Sequence, residues 1–373
     1  MNLSLANPPL SLLTIAAALF LFCCLASEET EAAFRPELAT RLKLSWEYDD
    51  NVLEERSGKL SGGAGALSLF SKIRLNTPKS LTVFDFQIGY KGHHRLSRTE
   101  SLTAGDILVH RLTLEIERRL SPNWSAGLSA ELKQRNIYRK NKLNLLSEEG
   151  YLRGSWKLFA RRNLKHLGIL TLIYRYSFFD FETFHSFDFN SHSPRVKLSH
   201  PFADNLTGSL QYSLHHRRYS RFISVLGSQG ALIQQPERQR DNLHQLDFSL
   251  FFRRGALFNF TYSLQRNSSN NYGFSYWSNR FSMLLAEKLP YELFLNAYLF
   301  FELKRYSDKV DLPILVDIIT EENNNNGAII KLSHPLSPAV EAAVTFSLYR
   351  NESSIRDLNF HKSLLNFGLT CRL

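Results

Sequence analysis

From position 40 to the last residue the chain repeats one pattern: apolar residues at every second position, with polar or charged residues between them. Leu42, Leu44, Trp46 and Tyr48 alternate with Arg41, Lys43, Ser45 and Glu47. Phe84, Phe86, Ile88 and Tyr90 repeat the pattern, as do Trp124, Ala126, Leu128, Ala130 and Leu132. Successive side chains of an extended strand point to opposite faces, so each run predicts a strand with one apolar and one polar face. One hairpin is written twice in nearly the same letters. Lys197-Leu198-Ser199-His200-Pro201 leads into Leu206, Gly208, Leu210, Tyr212 and Leu214, and Lys331-Leu332-Ser333-His334-Pro335 leads into Val340, Ala342, Val344, Phe346 and Leu348. A soluble sheet uses such faces once or twice. A chain that does so from end to end, behind an export signal, predicts a transmembrane β-barrel.

Turn-forming clusters set the strand count. Short turns are expected at 76–79, 121–123, 162–164, at Pro201, at 253–255, 288–290 and 335–338. Longer polar connections are expected on the opposite side, at 49–63, 136–149, 181–193, 222–240, 304–326 and 351–359, with a basic loop through His93, His94, Arg95 and Arg98. The expectation is an all-β fold: an antiparallel up-and-down barrel of about 16 strands, within two either way, with short periplasmic turns and long extracellular loops. The hairpins form an internal repeat with no domain break.

The amino terminus reads as a targeting segment. An apolar run at 10–25 is followed by Ala26 and then by Glu28, Glu29 and Glu31. The run is shorter than the roughly 20 residues of a spanning helix, and it fits a signal peptide at 1–26. A short periplasmic segment at 27–39 and the barrel at 40–373 complete the expected organisation. A retained anchor competes with cleavage. So does lipidation at Cys23 or Cys24, although Phe22 or Cys23 then stands where a small residue is expected. Cleavage leaves Cys371 as the one mature cysteine, which excludes a disulfide scaffold.

The mean hydropathy of −0.24 alone suggests a soluble protein. Alternating faces cancel in such an average. Aromatic residues make up 13% of the chain, including 28 Phe and 15 Tyr, which suits girdles at the two membrane interfaces. The formal charge is +10. Its basic residues are scattered along the strands instead of clustered in an arm, which argues against nucleic acid as a partner.

The last run, Leu365, Phe367, Leu369, Cys371 and Leu373, resembles the terminal strand by which bacterial outer-membrane barrels are recognised for assembly. That family usually ends in Phe or Trp, where this chain has Leu373. The stretch Trp46-Glu47-Tyr48-Asp49-Asp50-Asn51-Val52 is similar to the opening strand and loop of porin-2 type barrels, some of which are associated with exopolysaccharide export. These resemblances imply a bacterial outer-membrane location. They also imply outer-membrane lipid, lipopolysaccharide and the barrel-assembly machinery as partners, with a second copy of the chain or periplasmic export proteins as further ones.

With the apolar faces toward lipid, the polar faces line the interior. Basic residues there outnumber acidic ones, and Arg111, Arg135, Arg153, Lys157, Arg175 and Arg217 are the expected pore-lining set. Rings of basic side chains favour anions; the same charges could instead pair across strands and only solvate the wall. The expected function is a porin-like channel for passive diffusion of small hydrophilic, and by this charge anionic, solutes. An export barrel for a polysaccharide or another surface component is the alternative, and a barrel enzyme comes third. No motif singles out a nucleophile with its base. Adjacent histidines such as His215-His216 point to opposite faces, and neither a metal nor a cofactor is expected. Asp49, Asp50, Asn51, Glu54 and Glu55 carry calcium-type oxygens in the first loop, with a solvated loop as the competing reading. An apolar stretch at 310–319 inside a polar loop is a candidate constriction.

Overall fold

A computed structural model describes residues 36–51, 61–94, 106–138, 150–228, 231–307, 326–351 and 360–373. The expected signal peptide, Cys23 and Cys24, most of the 27–39 segment, Glu54 and Glu55, and the 310–319 stretch lie outside the described residues.

Sixteen antiparallel strands close into one barrel in which every strand pairs with its neighbours in sequence and the first pairs with the last. In chain order they are β1 (Pro36–Asp49), β2 (Gly62–Asn76), β3 (Ser80–His94), β4 (Asp106–Ser121), β5 (Trp124–Tyr138), β6 (Tyr151–Asn163), β7 (Ile169–Phe181) and β8 (Phe189–Ala203). The second half comprises β9 (Leu206–Leu226), β10 (Leu232–Arg254), β11 (Ala256–Ser269), β12 (Tyr276–Lys288), β13 (Phe294–Tyr306), β14 (Asn326–Ser337), β15 (Val340–Asn351) and β16 (Phe360–Arg372). β1 starts at Pro36, ahead of the expected position 40.

The alternation separates the two faces as expected. Leu44, Trp46, Trp156, Leu158, Leu172, Val196, Leu210, Phe248, Phe301, Phe346 and Phe367 are all exposed on the outside. Large apolar side chains in such numbers on an outer surface need lipid around them. No helix among the described residues is long and apolar enough to cross a membrane.

Three local expectations are corrected. Pro201 and Pro335 themselves lie within strands; the chain reverses after Ala203, beyond Pro201, and at Pro338, inside the expected 335–338. The pairing shifts between Pro201 and Ala203, and between Pro335 and Ser337, so both prolines sit at bulges near a strand end, where a missing N–H is tolerated. The expected loop at 181–193 shortens to 182–188, and the expected loop at 222–240 is mostly strand. β8 begins at Phe189, and β9 and β10, at 21 and 23 residues, carry the sheet upward as the longest hairpin. Glu292, one of the fewer acidic residues whose polar phase points to the interior, lies instead in a 3-10 turn at Pro290–Glu292.

The seam uses the early motif. Trp46 stacks on Phe367 at 6.1 Å. Lys362 reaches Asp49 at 2.9 Å, Ser363 N–H donates to Asp50 Oδ1 at 2.6 Å, and Asn51 Nδ2 donates to the His361 carbonyl at 2.9 Å. The side chains considered for calcium, Asp49, Asp50 and Asn51, thus join the first strand to the last.

Candidate functional site: the inner wall

Inward-facing charges divide into two populations by strand. On β1 to β5, acidic and basic residues pair: Lys72 with Asp85 at 3.7 Å, Lys91 with Glu47 at 2.6 Å, and Arg111 with Glu131 at 3.1 Å. Lys157 and Arg161 of β6 lean back toward β4 and pair with Glu115 at 3.5 Å and Glu117 at 2.5 Å. On β14 to β16, Glu341 holds Lys331 at 3.1 Å and Arg372 at 3.6 Å.

From β6 to β9 the inner face carries no carboxylate. The inward positions there run Arg153, Ser155, Lys157, Phe159 and Arg161; Arg175, Ser177 and Phe179; Ser191, Ser193, Arg195 and Lys197; then Gln211, His215, Arg217, Tyr219 and Arg221. Lys157 stands directly opposite Arg175 in the β6–β7 pairing, and Arg153 opposite Lys133 in the β5–β6 pairing. Like charges opposite one another destabilise a sheet, so this sector is held against a local electrostatic cost. The Nε atoms of Arg175 and Arg195 are buried and have no hydrogen-bond partner. Nearby carboxylates flank the sector without entering it: Glu131 acts on Arg175 from β5, and Asp247 acts on Arg195 from β10.

The expected pore-lining residues therefore separate. Arg153 and Arg175 belong to the acid-free sector. Arg111 and Lys157 face inward but are ion-paired. Arg135 faces inward at the upper end of β5, opposite Tyr151. Arg217 is hydrogen-bonded to Tyr219 and lies opposite Asp241 in register. Arg195 and Lys197 complete the sector, and their alternating phase in β8 is the signal that places them there.

Above the basic sector stands an aromatic one. Tyr151, Phe179, Phe189 and Tyr219 follow one another around the wall with ring centroids 4.7, 5.7 and 5.3 Å apart. Above that, Arg221 stacks on Phe187, Tyr219 and Phe274 at 5.0, 5.0 and 4.2 Å. Its Nε donates to Gln239 Oε1 at 2.6 Å, Gln239 Nε2 donates to Asp241 Oδ1 at 2.9 Å, and Asn271 Nδ2 donates to Gln239 Oε1 at 2.7 Å. Gln239 is 0% exposed. This network ties the β7–β8 and β11–β12 connections to the tall hairpin at the end opposite the short turns.

Two other clusters bring titratable groups together. Ser193 Oγ lies 2.9 Å from His215 Nδ1, but Ser193 is 1% exposed and is closed off from any solute. Asp180, His185 and Asp188 place one carboxylate oxygen each and one ring nitrogen within 4.8 Å of one another. Burial, reinforced by Asp180, pushes the Asp188 carboxyl above the ordinary carboxylate range, against the Phe181 N–H that it accepts at 2.7 Å. His185 lies 3.3 Å from Asp188 and 3.8 Å from Asp180, so the three groups clasp the β7–β8 connection.

The sequence matches no protein-family model and no curated protein. Among solved structures, the chain is similar to the outer membrane protein OpdK from Pseudomonas aeruginosa, at 10% identity over 90% of this chain and 99% of that one, with a TM-score of 0.46. A BenF-like porin from Pseudomonas fluorescens Pf-5 gives 9% identity over 90% and 99%, with a TM-score of 0.46. A bacterial polysaccharide outer membrane secretin gives 10% identity over 90% and 98%, with a TM-score of 0.43. With identities and scores this low, the architecture is read from the chain's own strand pairing.

Proposed function

We propose that this protein is an outer-membrane channel that lets small anionic, hydrophilic solutes diffuse passively, without covalent chemistry. The apolar run at 10–25 would be its export signal. The observation that carries the reading is the acid-free inner sector of β6 to β9, where Arg175 and Arg195 keep buried Nε atoms without partners. A closed barrel of this strand number leaves an aqueous lumen. Unpaired cations on its wall raise the local concentration of anions, and the low-dielectric surroundings focus their field.

Reversal potential in a salt gradient across a planar bilayer tests this. The wild-type channel should prefer anions. Arg153→Glu, Arg175→Glu and Arg195→Glu together should move the potential toward the cation side. The difference should fade between 0.1 M and 1 M salt, as the screening length drops from about 10 Å to about 3 Å. An unchanged potential with conductance intact overturns the anion-selective reading.

The aromatic sector favours one second reading, export of a polysaccharide. Tyr151, Phe179, Phe189 and Tyr219 present ring faces in a row on the same wall, and sugar faces stack on such rings. A pore blocked by added oligosaccharide from either side, with blocking weakened by Phe179→Ala and Tyr219→Ala, would support it.

A further inference from the structure

The inner wall of β8 to β12 differs from both charged populations. Toward the short turns, Ser199, Ser209, Ser249, Thr261 and Ser282 stand opposite one another in successive pairings, so five adjacent strands present five hydroxyls in one rung. Ile169 and Phe300 bound this rung on its two sides. Strands favour β-branched and aromatic side chains, and four serines in one rung forgo that packing. The next rung runs Lys197, Gln211, Asp247, Ser263 and Arg280 in the same registered way. Above it, Gln245 stands opposite Gln265.

Short side chains leave a recess of about 270 Å³ in this wall. At the centre of the middle rung, Asp247 is held by neutral donors: Gln211 Nε2 at 3.0 Å, Gln245 Nε2 at 2.7 Å and Ser263 Oγ at 2.5 Å. It is in no ion pair among the described residues. Gln265 Nε2 donates to Gln245 Oε1 at 3.3 Å, and Ser249 Oγ lies 3.0 Å from Thr261 Oγ1. The side-chain carbonyls of Gln211 and Gln265, the hydroxyls of Ser209 and Ser282, and the Lys197 ammonium also line the recess, and none of them has a partner among the described residues. Tyr298 is the one aromatic residue lining it.

We infer that this recess is a binding site for a single neutral sugar ring. Its volume falls just under the range of drug-sized pockets, which suits one small ring and not a chain. Hydroxyls and amides donate and accept at once, as sugar hydroxyls do, and the unmet carbonyls, hydroxyls and ammonium supply both kinds of partner. Asp247 keeps its charge among neutral donors and accepts from a sugar hydroxyl while repelling an anion. Lys197 and Arg280, two strands away on either side, repel a cation. A zwitterion finds both signs, but they stand about 10 Å apart along the sheet, further than the neighbouring charges of an amino acid. The inference rests on this face being the lumen wall and is independent of the anion-selective sector.

The test is saturation-transfer NMR on the full-length purified barrel in deuterated dodecylphosphocholine, a detergent without a sugar head group. D-glucose, D-galactose and D-mannose are the probes. At least one hexose should give a saturable signal that neither L-alanine nor succinate displaces. Thr261→Val removes one hydroxyl at nearly constant shape and should weaken binding roughly fivefold, the worth of one hydrogen bond, whereas Thr261→Ser should retain it. Asp247→Asn should weaken binding by a similar factor. Ser249→Leu fills the recess and should weaken binding on the order of tenfold or more, in a barrel whose strand content by circular dichroism matches the wild type. No saturable signal from any hexose, displacement by L-alanine as effective as by the sugar, or undiminished binding by folded Thr261→Val or Ser249→Leu each overturns the inference. The readout needs no ion flow, so failure here and failure of the channel proposal are told apart.

Discussion

Replacing Leu210 with arginine tests whether the two faces of the wall meet different solvents. Leu210 is 51% exposed on the outside and pairs in register with Leu198 and Phe248, which also face outward. It is the middle outward residue of the run Leu206, Gly208, Leu210, Tyr212 and Leu214, so the new charge lies near the bilayer centre. An arginine on the lipid face costs about 2–4 kcal/mol at the midplane and about 0–1 kcal/mol near an interface. Gln211, the next residue, faces the lumen and donates to Asp247 Oδ2 at 3.0 Å. Gln211→Arg meets that carboxylate in water, with a net effect of about 0–1 kcal/mol in its favour. The gap of about 2–4 kcal/mol corresponds to roughly 30- to 1000-fold in the folding equilibrium. Urea-dependent folding into fluid vesicles measures it. Trp46, Trp124, Trp156 and Trp277, all exposed on the outer face, report insertion by fluorescence. Equal costs for the two variants, or a larger cost for Gln211→Arg, would refute the assignment of lipid and lumen faces.

Three further outcomes follow from particular contacts. A side chain at Gly127 would run into the Ile116 carbonyl and the Phe159 ring. Gly127→Val should therefore destabilise the barrel by about 1–3 kcal/mol in the same folding assay, and Phe159→Ala should rescue it only in part because the carbonyl remains. Gly255 alone connects β10 to β11 with φ of 74° and no neighbouring atom within 4 Å. Gly255→Ala should cost about 1–2 kcal/mol from backbone strain, less for asparagine, read as a shift in the urea midpoint. An epitope at the 227–231 tip should be reached by antibody on intact cells, whereas one after Ser121 should be reached only after the outer membrane is permeabilised.

Sequence patterning gave away the barrel because lipid imposes a chemical rule on every second residue. Where that rule lapses, the reading lapsed with it. Residues such as Gln234, Arg238 and Asn242 in β10, and Asn190 to Ser193 in β8, rise above the lipid and are polar on both faces. They stay in strand through backbone pairing, which leaves no mark in hydropathy. The prolines misled for a related reason, since a bulge at Pro201 is set by the register with β9 and not by local propensity. The interior charges were legible as a list but not as pairs. Lys157 finds Glu115 and Arg161 finds Glu117 across separations of 42 and 44 residues, which only the closed register reveals. Arg153, Arg175 and Arg195 differ from Arg111 by lacking such a neighbour, a difference invisible along the chain.

Nine registered pairs, Arg41 with Arg372 through Asp49 with Leu364, join the two ends of the sheet. Every other pairing can form between neighbours as soon as both are present; this one spans more than three hundred residues. The entropy of gathering so distant a contact grows only with the logarithm of the span, about 0.6 kcal/mol per doubling, so it does not weigh heavily on the finished molecule. It weighs on timing. Until that contact forms, the two terminal strands are bare edges, competent to pair with any strand they meet. A partly assembled sheet of this kind is an open ribbon able to extend indefinitely. Asp49, Asp50 and Asn51, with their side-chain bonds to Lys362, Ser363 and His361, add to the closing contact that removes both edges.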